Sequence, residues 1–157
     1  GFVRQGMKFN VESNGMQREK REIPDDLFYD RNDFWIKVAE EAVIGLTDYG
    51  QGNIGDIIYL ELAPAGTVVG RGDRCGSIES GKWVGSLLAP VSGVIVEANS
   101  EAEADPRQVN ADPFGRGWLY RIKLANRNEI GLLMDSGAYE AWIEERIRLE
   151  EKDEVTL

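Results

Sequence analysis

A chain of 157 residues with 42% hydrophobic and 29% charged side chains has the length of one domain and enough apolar material for a proper core. Its formal charge of −10 argues against a nucleic-acid partner, which needs clustered cations, and the absence of histidine removes catalytic triads, histidine zinc sites and histidine acid–base chemistry together. The single cysteine, Cys75, has no intrachain disulfide partner, no apolar run approaches a membrane span, and residues 1–26 lack the apolar centre of a signal peptide, so a cytoplasmic, non-membrane protein is expected.

Residues 1–23 are polar and glycine-punctuated and read as a flexible arm, in part an expression remnant because Met7 is a candidate natural start. Residues 24–157 then read as a single domain. Strands are predicted over 34–39 and 42–46, joined by the acidic turn Glu40-Glu41. Thr47 or Asp48 is the cap of a helix of about two turns ending near Ile54. Residues 56–62 alternate as a half-buried strand, 67–69 is a brief extended piece, and Gly70-Arg71-Gly72-Asp73 turns the chain.

Two further strands, 75–80 and 83–88, are separated only by Gly81-Lys82, which suits a type II′ hairpin turn with Gly81 at positive φ and Lys82 projecting from the tip. A strand over 94–98, a loop or single helical turn over 99–104, a mostly irregular stretch over 105–117 and a last strand over 118–124 follow. Ser136 or Gly137 opens a final helix to about Leu149, where Tyr139, Trp142, Ile143 and Ile147 form one apolar stripe expected to dock on a sheet. So many short strands imply a mainly β sandwich or barrel with short helices and a C-terminal helix.

The run Glu79-Ser80-Gly81-Lys82, followed by Ala89-Pro90-Val91-Ser92-Gly93-Val94, resembles the lipoyl attachment hairpin of the glycine-cleavage H protein family. Thr47-Asp48-Tyr49 with Gly55–Leu62, and Val109–Leu119 with its Asp112-Pro113-Phe114-Gly115 core, resemble two further family motifs in the same order, so the likeness spans roughly residues 27–148. The resemblance implies a lipoyl-type barrel-sandwich hybrid, lipoate bound covalently to Lys82, and a non-catalytic carrier rather than an enzyme. It implies a lipoate-protein ligase as a partner, with Glu79, Ser80, Gly81 and Trp83 as the flanking cofactor-site residues. Glu79 is read either as a ligase-recognition group or as a plain exposed strand carboxylate. A biotin carrier shares the architecture but flanks its lysine with methionines, whereas the neighbours here are Gly81 and Trp83. An unmodified binding module that kept the fold is a further alternative.

Glu79–Gly85 most resembles the lipoate-binding proteins of heterodisulfide-reductase-like sulfur oxidation, which implies a sulfur cargo and a heterodisulfide-reductase-like complex as partner. The alternative is a conventional glycine-cleavage carrier of the aminomethyl group, working with the glycine cleavage enzymes and with dihydrolipoamide dehydrogenase. Two departures from the family favour the first. Trp83 replaces a small residue and either shields a thiol cargo, anchors a partner, or packs across the hairpin. Phe34 stands where the family's His-Glu-Trp has a carboxylate for a cationic cargo. Cys75 is read as a buried small apolar residue, with thiol exchange as the lesser alternative.

Overall fold

The computed structural model describes residues 21–156. Among them nine strands run as β1 (Phe28–Tyr29), β2 (Phe34–Lys37), β3 (Ala42–Leu46), β4 (Ile57–Leu62), β5 (Val68–Val69), β6 (Arg74–Ser80), β7 (Val84–Leu88), β8 (Gly93–Ala98) and β9 (Tyr120–Leu124). The helices are α1 (Asp48–Ile54), α2 (Ser100–Ala104), α3 (Arg107–Ala111) and α4 (Ser136–Thr156), with a 3-10 turn at Arg127–Leu132. A six-stranded sheet of order β1-β2-β3-β9-β8-β5 faces a three-stranded sheet of order β4-β6-β7, and all pairings are antiparallel. This is the mainly β barrel-sandwich architecture expected. No helix among the described residues is long and apolar enough to cross a membrane.

Alternation places Ile36 and Ile44 of the large sheet and Ile78 and Leu87 of the small one in a shared interior. Each such side chain, removed from water, contributes about 1.5–3 kcal/mol. β4 departs from the simple alternation predicted for it: the register slips between Ile57 and Tyr59, so Ile57 joins Leu60 and Leu62 inside while Ile58 and Tyr59 are exposed. The Tyr120 hydroxyl ties the sheets together, donating to the Cys75 carbonyl and accepting the Ala63 N–H at 3.0 Å.

β2 is buried on both faces because α4 covers the outer one. Trp35 points away from Phe34 and Ile36 into a second cluster with Leu27, Tyr29, Tyr139 and Ile143. Its indole lies over Gly45, its cross-strand partner, where an added Cβ would come within 2.7 Å of the ring. Tyr29 and Tyr139 stack with ring centroids 4.5 Å apart. The predicted stripe therefore docks as expected, with Tyr139 and Ile143 fully buried and Trp142 and Ile147 half-buried, and the helix runs past 149 to Thr156.

The stretch 105–117 is mostly irregular, as expected, with one helical turn at Arg107–Ala111. The proposed arm, 1–23, lies outside the described residues except at its end. There the Arg21 guanidinium sits 5.9 Å above the Tyr49 ring, and the Glu22 N–H donates to Asp48.

Candidate functional site

The lysine hairpin is β6 and β7, with Glu79 paired to Val84 and the Ser80 N–H donating to the Trp83 carbonyl at 2.8 Å. Gly81 and Lys82 form the exposed tip. The turn is not type II′: positive φ among the described glycines occurs at Gly55, Gly66 and Gly72, and not at Gly81. A side chain sets the turn instead. Ser80, only 5% exposed, donates its hydroxyl to the Ile54 carbonyl at 2.5 Å and accepts the Lys82 N–H at 3.2 Å. That clamps the tip onto the C-terminal end of α1.

Gly55 completes the seat. It takes φ 88° as it ends α1, a conformation suited to glycine, and an added Cβ would lie 3.0 Å from Lys82 Cε. The aliphatic stem of Lys82 therefore passes over a residue that has no side chain to obstruct it. Glu79 is exposed on the strand, and its carboxylate makes no hydrogen bond or ion pair among the described residues. Gly81 makes no close approach to anything. Ser80 thus positions the lysine, while Glu79 and Gly81 present surface beside it.

The Trp83 ring folds along its own strand over Gly85, where a Cβ would come within 2.3 Å of the indole, and the residue stays 40% exposed. There it forms one wall of a cleft of about 240 Å³ that Arg31, Asp33, Phe34, Ser86 and Arg146 also line. Cys75 is elsewhere, 2% exposed, with burial pushing its thiol up to about 11. Thiol exchange with an arm is therefore closed to it, and the buried-residue reading holds.

Behind Asp33 and Arg146, which line the cleft, runs a single chain of hydrogen bonds among buried groups. Thr47 caps α1 by accepting the Gly50 N–H at 2.9 Å, and its hydroxyl lies 2.7 Å from that of Tyr139. Tyr139 donates at 2.8 Å to Asp33 Oδ1, so the shared proton between the two hydroxyls comes from Thr47. Arg146 Nη1 reaches both Asp33 oxygens, at 2.9 and 3.0 Å. Burial pushes the Asp33 carboxyl up, opposed by the Arg146 guanidinium and the Tyr139 hydroxyl. Asp33 is the one described non-glycine residue at positive φ, 67°, and Gly50 leaves room for its Cβ, which an alanine methyl would approach to 2.7 Å.

These positions revise the reading of residue 34. Phe34 is 1% exposed and belongs to the main core, so it meets the cleft only as its apolar backing. The carboxylate thought missing stands next to it, at Asp33, but is committed to Arg146 and Tyr139. Arg31, Asp33 and Arg146 escaped the sequence reading although a signal for one existed. Arg146 falls seven residues after Tyr139, on the same helix face, and a charge on an apolar stripe signals a buried partner.

The family model for the glycine cleavage H-protein matches residues 27–146. A glycine cleavage system H protein from Carboxydothermus hydrogenoformans is 41% identical over 124 residues, covering 78% of this chain and 95% of the relative. One from Salinibacter ruber is 42% identical over 119 residues, covering 75% and 96%. The crystal structure of a glycine cleavage system H protein from Mycobacterium marinum superposes with a TM-score of 0.71 at 34% identity, covering 76% of this chain and 97% of that one.

Proposed function

The chain belongs to the glycine cleavage H-protein family, non-catalytic carriers that bear lipoate covalently on a lysine, and from that premise we propose that Lys82 is the acceptor here. The observation that carries this is the seat of Lys82. Its amine is exposed at a tip held by Ser80, over the bare backbone of Gly55. The other described lysines lie at a strand end (Lys37), within β9 (Lys123) and on α4 (Lys152), where no two-strand turn presents them. When bound, lipoate supplies a dithiolane that can be reduced and can carry a group on sulfur. The protein's contribution is to hold the acceptor amine rigidly and to offer a cleft beside it, with Glu79 exposed for the ligase.

Two cargo readings follow from different observations. The relatives share the name of glycine cleavage, which supports carriage of an aminomethyl group between the glycine cleavage enzymes, with dihydrolipoamide dehydrogenase reoxidising the dithiol. The heterodisulfide-reductase-like sulfur-oxidation reading has no support from those comparisons and rests on the Glu79–Gly85 run and on the charge of the cleft. Two guanidiniums, Arg31 and Arg146, stand there against one carboxylate already paired. A cationic amine finds no free counter-charge in it.

The test is glycine decarboxylation supported by the lipoylated chain, compared with the lipoylated Mycobacterium marinum H protein and with Lys82→Arg. The cleft's charge predicts transfer above the Lys82→Arg background but at least about tenfold slower than the comparator. Equal rates would establish aminomethyl carriage and refute the argument from charge. A wild-type rate no higher than the Lys82→Arg background would remove aminomethyl carriage.

A further inference from the structure

The guanidiniums of the cleft are held in an unusual way. Arg146 lies over the ring faces of Tyr49 and Trp142, with its Cζ 5.1 and 5.6 Å from the centroids, and Arg31 lies 5.4 Å over Trp142. A cation held over a ring face is attracted by the ring quadrupole and need not spend its N–H groups on that contact. Of the Arg146 edge, Asp33 occupies only Nη1. Arg31 is exposed and pairs with no carboxylate among the described residues. In a chain of net charge −10, a cleft beside the proposed acceptor lysine that holds two guanidiniums and one carboxylate runs against the general trend of the surface.

We propose that this cleft is a receiving site for an oxyanion at the end of the Lys82 arm, with Arg31 as its main contact, Arg146 as the second, and Trp83 as the apolar wall. The inference rests on Lys82 being the lipoyl acceptor. The ligand class is one negative charge spread over two or three oxygens, a carboxylate or a sulfur oxyanion, because a planar guanidinium edge matches such groups with paired hydrogen bonds. A cleft of about 240 Å³ suits the end of an arm rather than a free metabolite of drug size. Ser86 adds a hydroxyl on the β7 side.

The lipoylated protein tests this directly. After reduction, the two arm thiols are alkylated in parallel samples with iodoacetate, iodoacetamide, bromoethylamine or bromoethanesulfonate. These leave carboxymethyl, carboxamidomethyl, aminoethyl and sulfonatoethyl ends. Cys75 is buried and protonated at the reaction pH, and intact mass verifies that it stays unlabelled. Docking is read by NMR from the backbone amides of 31–34 and 83–88 and the Trp83 indole N–H. The carboxymethyl or sulfonatoethyl arm should dock at least about fivefold more strongly than the carboxamidomethyl arm, and the aminoethyl arm least. Which of the two anions docks better tells a carboxylate cargo from a sulfur oxyanion. Arg31→Gln, at an exposed position, should erase the preference without changing the fold.

Equal docking of all four arms, or strongest docking of the aminoethyl arm, overturns the proposal. If lipoylation proves to be elsewhere than Lys82, that assignment fails by itself. The cleft is then judged with the amide of 6,8-bis(carboxymethylthio)octanoic acid as a free ligand of the unmodified chain. Perturbation of the same amides, lost in Arg31→Gln, supports the site, and none up to the ligand's solubility limit refutes it.

Discussion

Ser80 illustrates how one hydroxyl converts a sequence motif into a presented lysine. It satisfies an orphan carbonyl at the end of α1 and the backbone of the tip at once, at Ile54 and Lys82. Ser80→Ala should cost about 1–2 kcal/mol in urea unfolding and speed hydrogen exchange at the Lys82 amide; slow exchange in the variant would mean that the backbone alone holds the tip. Asp30 offers a second test, because its Oδ1 accepts the Asn32 and Phe34 N–H groups while burial pushes its carboxyl up to about 6 from 3.8. A carboxyl raised in the folded state contributes stability that is complete below about pH 4 and lost as pH climbs through 6. Asp30→Asn keeps the acceptor and removes the charge. It should therefore gain on the wild type by up to about 3 kcal/mol between pH 4 and pH 7, and a pH-independent difference would contradict the assignment.

Among the elements, α4 carries both structure and site. Its buried stripe was readable from the 3.6-residue period, and so were the β2–β3 and β6–β7 hairpins, because apolar runs bounded by Glu40-Glu41 and Gly81-Lys82 leave few other pairings. What could not be read was tertiary. The turn at Gly81 looked primed from two residues of sequence, yet the deciding partner, the Ile54 carbonyl, lies 26 residues away. The bulge in β4 and the pairing of Asp33 with Arg146, 113 residues apart, were hidden for the same reason. Burial also grades the stripe. Ile143→Ala should cost about 2–5 kcal/mol, whereas half-buried Trp142 should cost only about 1–3 on truncation, with a loss of order in Arg31 that NMR can follow. If Trp142→Ala proves the costlier, the helix docks through the arginine-stacked indole rather than through Ile143.

For the whole molecule, two sheets closed over one core make a rigid platform, α1 and α4 flank it, and the lysine hairpin and the arginine-lined cleft open beside each other. Lys82, the proposed acceptor, stood out in the sequence because its flanks are local; the cleft did not, since it is assembled from the β1–β2 turn, β2, α1, β7 and α4. Everything proposed about carriage depends on which amine receives the cofactor. The decisive measurement is peptide mapping by mass spectrometry after incubation of wild type and Lys82→Arg with lipoate, ATP and a lipoate-protein ligase. The wild type should gain one lipoyl group on the peptide containing Lys82 and on no other, and the arginine variant, with stability unchanged within about 0.5 kcal/mol, should gain none. A lipoyl group on any other lysine, or on the folded Lys82→Arg protein, would contradict it.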